Sequence, residues 1–113
     1  MATVPVIPGL PIEVASTRVA RRRGLLGRGR IEGVLVIVPC RQVHTFGMRF
    51  PIDVAFVSRR GRVLRVLTMG PGRVSRPVVR SRWVLEGPAG SFGRRSVRRG
   101  TTLDLREHAD RES

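Results

Sequence analysis

The chain has 113 residues, a single cysteine and a formal net charge of +14. That length makes one domain that can bury about two thirds of its unfolded surface, so neither a metal nor a disulfide is required to hold it together. One cysteine excludes an intramolecular disulfide, and no apolar run approaches the ~20 residues of a membrane-spanning helix. We expect a soluble, cytoplasmic protein, because the start, MATVPVIPGLP, has neither the basic segment nor the long apolar segment of a secretory leader.

All 22 basic residues are arginine, against 8 acidic residues. A GC-rich coding sequence explains arginine in place of lysine at ordinary surface sites. It does not explain the excess of bases over acids, so generic attraction to a phosphate backbone stands as an alternative function.

Residues 1–11 space Pro5, Pro8 and Pro11 as an extended arm before the first strand. Residues 12–15 read as a short strand. Ser16 or Thr17 then caps a helix with Val19 and Leu26 on one face and Arg18, Arg21 and Arg22 on the opposite, wet face. Glycines at 24, 27 and 29 end that helix near Leu26. The β-branched run at 33–38 predicts a strand buried on both faces, closed by Pro39. Residues 43–46 and 52–57 read as two further strands. Gly61 turns the chain into a return strand over 62–69, and 70–77 is a Gly/Pro loop. Val79, Ser81, Trp83 and Leu85 alternate with Arg80, Arg82 and Glu86 as a half-buried strand. One or two helical turns over 91–97 and a last strand over 101–105 follow, then a polar tail over 106–113. The expected fold is mainly β: a single domain over 12–105, an antiparallel barrel or sandwich with one or two short helices.

The stretch CRQVHTFGMRFPIDVAF (40–56) gathers most of the chemistry-bearing residue types. Cys40 and His44 lie four apart, about 13 Å along a strand, whereas two ligands of one zinc sit about 3–4 Å apart. We expect no metal and no cofactor, and read Cys40 as a small buried apolar residue. A reversal at 47–50 would set His44 opposite Asp53, with Cβ atoms about 5 Å apart. Asp53 could then orient the imidazole. It could equally be a buried carboxylate held by backbone N–H groups or by Arg49.

The expected site is thus a shallow pocket of His44, Arg49, Asp53 and Glu86, holding a small polar ligand or a protein partner's peptide, in a binding or accessory module rather than an enzyme. Two alternatives remain. A nucleic-acid binder would use Arg21, Arg22, Arg23, Arg28, Arg94, Arg95, Arg98 and Arg99, although a chain without tyrosine offers few stacking platforms. A hydrolase would use His44 as base and Asp53 as its orienter, with water, Thr45 or Ser58 as nucleophile.

The segments RRRGLLGR (21–28), GVLVIVP (33–39), VHTFGMRFPIDVAFV (43–57), RRGRVLRV (59–66) and VLEGPAGSF (84–92) occur in an order that resembles the domain of unknown function 192 family. The resemblance spans roughly residues 12–105 and implies a small, mainly β domain of unassigned activity. It marks Arg21, Gly24, Leu25, Arg28, Met48, Asp53, Phe56, Glu86 and Gly90 as characteristic positions. Where many relatives carry a Trp-Met-Lys-Asn-Thr-like run, this chain has His-Thr-Phe-Gly-Met at 44–48.

Overall fold

The computed structural model describes residues 2–25 and 30–109. Along them run β1 (Ala2–Pro5), β2 (Ile12–Ala15), α1 (Arg18–Arg23), β3 (Val34–Ile37), β4 (Ile52–Ser58), β5 (Val63–Met69), β6 (Ser81–Pro88), α2 (Ser91–Arg94) and β7 (Leu105–His108). One sheet has the order β2-β3-β6-β4-β5, and β1 pairs with β7 in a second. The fold is mainly β, as expected, and the five-stranded sheet is not closed into a barrel. Its strands pair antiparallel except β2 with β3, which run parallel. A parallel pair needs a crossover, and α1 lies in that connection.

Position in the sheet decides burial. β4 has neighbours on both edges and packing on both faces, so Ile52 to Val57 are all buried. β6 is equally central, between β3 and β4, and residues 83–87 are buried without a break. The alternation expected for this strand therefore fails, and Glu86 is only 5% exposed. Two apolar clusters result. On one face Ala55, Val57, Trp83 and Leu85 pack with Phe92 of α2. On the other Ile52, Val54, Phe56 and Val84 pack with Ala20 of α1 and with Leu25. Each Val, Leu, Ile or Phe among them contributes about 1.5–3 kcal/mol on burial.

α1 is set by its ends. Thr17 Oγ1 accepts a hydrogen bond from the Ala20 N–H at 3.0 Å, and Gly24, at a φ of 49°, donates its N–H to the Ala20 carbonyl. The expected helix end at Leu26 lies outside the described residues. Val19, expected on the buried face, is 59% exposed, and Ala20 and Leu25 occupy the core instead. Arg18 and Arg22 are exposed as expected and Arg21 is partly buried, and all three border a cleft.

Three further expectations are corrected. Residues 43–46 do not form a strand beside β4, because β5 and β6 already occupy both of its edges. They meet residue 74 instead, through a single His44–Val74 bridge. The N-terminal segment is extended but docked: β1 pairs along β7, and Val4 and Ile7 are buried in the core. Pro5 is tolerated there because β1 has one strand neighbour and an otherwise open edge. The segment after Arg106 accordingly continues β7 to His108, rather than fraying at once; residues 110–113 lie outside the described residues.

Candidate ligand cleft

α1 and the segment 37–48 enclose a cleft of about 430 Å³ on the sheet face that carries α1. Arg18, Arg21 and Arg22 come from one side of the helix, at the i, i+3 and i+4 spacing that aligns side chains. Ile37, Val43 and Leu25 supply an apolar floor, and Cys40, His44, Met48 and Glu86 complete the wall.

The 41–48 segment is held by side chain to backbone bonds, which explains why a loop rather than a strand forms the wall. Ser75 Oγ accepts from the Val43 N–H at 2.9 Å, and the Gln42 amide donates to the Ser75 carbonyl at 2.9 Å. The buried Thr45 hydroxyl donates to the Gly70 carbonyl at 2.6 Å and accepts from the Arg73 N–H at 2.9 Å. His44 is left at the surface, its ring stacked on Phe46 with centroids 5.3 Å apart.

Charge meets burial at three residues. The Glu86 carboxyl side chain is buried at the cleft wall. Arg21 reaches the Pro39 carbonyl with one terminal nitrogen at 3.3 Å, while its Nε is buried without a hydrogen-bond partner. The Cys40 thiol donates to the Gln42 carbonyl at 3.3 Å. Burial is the main cause that pushes its pKa up, and the Glu86 charge adds to this; a backbone hydrogen bond at Gln42 and the Arg21 charge act in the opposite sense. Cys40 is thus a poorly ionised thiol, not an activated nucleophile.

The expected site is only partly assembled. His44 and Glu86 share the cleft wall. Asp53 does not join them. It alternates with Ile52 and Val54, so it faces the α2 side of the sheet, where its carboxylate accepts from the Phe92 N–H at 3.1 Å and the Thr68 hydroxyl at 2.7 Å. Its partners are a backbone amide and a hydroxyl, not Arg49, which is exposed and outside the cleft lining. The His44–Asp53 pair of a hydrolase is therefore not formed. Ser58 ends β4, away from the cleft lining, and the Thr45 hydroxyl is committed to loop bonds.

The arginines expected to bind nucleic acid divide between the two faces. Arg21 and Arg22 belong to α1, which packs on one face, and Arg94 to α2, which packs on the other. Arg95 donates to the Pro8 carbonyl at 3.2 Å, and Arg98 and Arg99 are exposed beyond the end of α2. The side chain of Arg23 and all of Arg28 lie outside the described residues. Among the described residues these groups do not merge into one basic stripe. Among the described residues, no three His, Cys, Asp or Glu side chains converge as metal ligands, and no helix is long and apolar enough to cross a membrane.

Reading the sequence missed the part played by Arg18, Leu25, Ile37 and Gln42. The available signal was the 18-21-22 spacing, which places three arginines on one helical side, with Leu25 just past the helix end.

A small mixed sheet, with one helix folded over one face to leave a charged cleft, defines the class. A family model, DUF192 ("Uncharacterized ACR"), matches residues 7–105, and the chain belongs to this family. It is 31% identical over 84 residues to the UPF0127 protein of Pyrococcus horikoshii, covering 70% of this chain and 73% of that protein. A UPF0127 protein of Pyrococcus abyssi is 30% identical over 84 residues, covering 70% and 72%. The fold is similar to a crystal structure of a protein of unknown function from Novosphingobium aromaticivorans, with a TM-score of 0.73 at 19% identity over 84% of this chain and 74% of that one. It is equally similar to a candidate transcription regulator from Sinorhizobium meliloti, with a TM-score of 0.73 at 22% identity over 91% and 92%. At those identities the two structures bear on the fold alone.

Proposed function

We propose that the protein is a binding module that holds a small polar ligand in the cleft between α1 and the 37–48 segment, without carrying out chemistry on it. The observation that carries this reading is the convergence of three arginines, a buried glutamate and an apolar floor on one concavity of about 430 Å³. That volume lies within the range of about 300–1,000 Å³ typical of small-molecule sites, and a few polar groups over an apolar floor are their usual lining. A nucleophile is not part of the proposal, because the thiol at the wall holds its proton.

A thermal-shift screen of polar small molecules tests it, using wild type, His44→Ala and Asp53→Asn. Hits should survive Asp53→Asn, whose side chain lies on the other face, and should weaken in His44→Ala. An absence of hits, or hits lost to Asp53→Asn and kept by His44→Ala, would reject the cleft.

A further inference from the structure

Resting on that reading, we propose that the cleft selects a small organic anion, a carboxylate or phosphate monoester with an apolar body. Arg21 grips the head, Arg18 and Arg22 add their field, and Leu25, Ile37 and Val43 receive the body.

Three observations lead there. The first is Arg21 itself. Its Nε is shielded from water yet has no acceptor, and a desolvated donor on a charged group is costly to leave unpaired. A turn of the side chain into the cleft that it borders would bring this donor to a ligand oxygen. A guanidinium presents its donors as a planar fork, which fits the two oxygens of a carboxylate or phosphate.

The second is the repulsion built into α1. Arg18, Arg21 and Arg22 stand three and four residues apart on one side of a short helix, and like charges at that spacing oppose one another. All three border one cleft, whose lining among the described residues includes a single carboxylate, Glu86. A concave, partly apolar wall focuses such a field more strongly than a convex surface does. Arg18 and Arg22 are exposed, as are Arg98 and Arg99, but Arg21 is partly buried and water screens it less.

The third is the floor. Ile37 and Val43 are buried core residues that also border the cleft, and Leu25 joins them. Pro39 and Met48, which border the same cleft and are not buried, extend that apolar surface, and a ligand with a short hydrocarbon body covers it where a free inorganic ion does not.

The test is an amide NMR titration of the isotope-labelled protein with hexanoate, hexyl phosphate and hexanamide, at an ionic strength of about 0.15 M to suppress long-range attraction. Support is at least one of the two anions shifting the Arg21, Leu25 and Cys40 amides and binding about tenfold more tightly than hexanamide, as expected for a charge-assisted pair. Which anion binds more tightly identifies the head group. That preference should fall in Arg21→Gln, or in Arg22→Gln should the first variant not fold. Equal binding of all three probes in the cleft would overturn the anion inference while leaving the binding reading intact. Shifts confined to residues 94–99, or none at the cleft with any probe, would overturn the inference, and the library screen would then judge the binding reading separately.

Discussion

The carboxylate of Asp53 accepts the backbone N–H of Phe92 at 3.1 Å, joining the second residue of β4 to α2 across 39 positions of sequence. Gly87, the register partner of Asp53 on β6, makes this possible, since a Cβ there would lie 2.7 Å from the Phe92 ring. Asp53→Ala leaves a buried amide unpaired and should cost about 2–3 kcal/mol in urea denaturation. Asp53→Asn keeps one accepting oxygen and should cost about 1 kcal/mol. A carboxylate with no structural part would leave both midpoints unchanged.

Gly87→Ala should destabilise by about 1–3 kcal/mol, because the added methyl group must displace a packed aromatic ring. Equilibrium unfolding measures the loss. Near-ultraviolet circular dichroism should change with it, since both Phe92 and Trp83 lie in the cluster that must shift.

The Thr45 hydroxyl ties the 44–48 wall to the loop at 70–73 through one bond given and one received. Thr45→Val should cost about 1–3 kcal/mol by leaving the Arg73 N–H without its partner. Hydrogen exchange should quicken at Arg73 and Gly72 before it does in β4. Uniform loss of protection would mean that the hydroxyl holds the whole core rather than the cleft wall.

The Cys40 thiol has its pKa pushed above the ordinary value of 9.0, by burial first and by the Glu86 charge after it. Alkylation at neutral pH should therefore be slower than that of an exposed thiol, and its pH midpoint should lie above 9.0. Glu86→Gln should lower that midpoint and Arg21→Gln should raise it. The folded thiol holds its proton more tightly than the unfolded one does. Its contribution to stability is thus complete below the unfolded pKa and is lost as pH rises through the folded value.

Local signals in the sequence led to the right elements where neighbours along the chain decide structure. Thr17 and Gly24 bound α1, and the valine-rich run became β3. They failed where sheet neighbours decide. Glu86 looked half-exposed because the alternating pattern of β6 gives no sign that both its faces are covered. His44 and Asp53 looked like a pair because a turn at Gly47 is sterically reasonable, and Gly47 does adopt a φ of 79°. The turn forms, yet β4 pairs with β5 and β6, so the segment before it is left to bond with residues 73–75. The β1–β7 pairing joins the two ends of the chain and leaves no mark within a short window.

The central claim is that ligands enter the cleft beside α1, and the chain carries its own reporter there, because its sole cysteine borders that cleft. The decisive measurement is the rate of Cys40 alkylation with and without each small molecule that raises the melting temperature. These molecules should slow the reaction in proportion to occupancy, in wild type and in Asp53→Asn alike. Stabilising molecules that leave the thiol reacting at its free rate would contradict the claim.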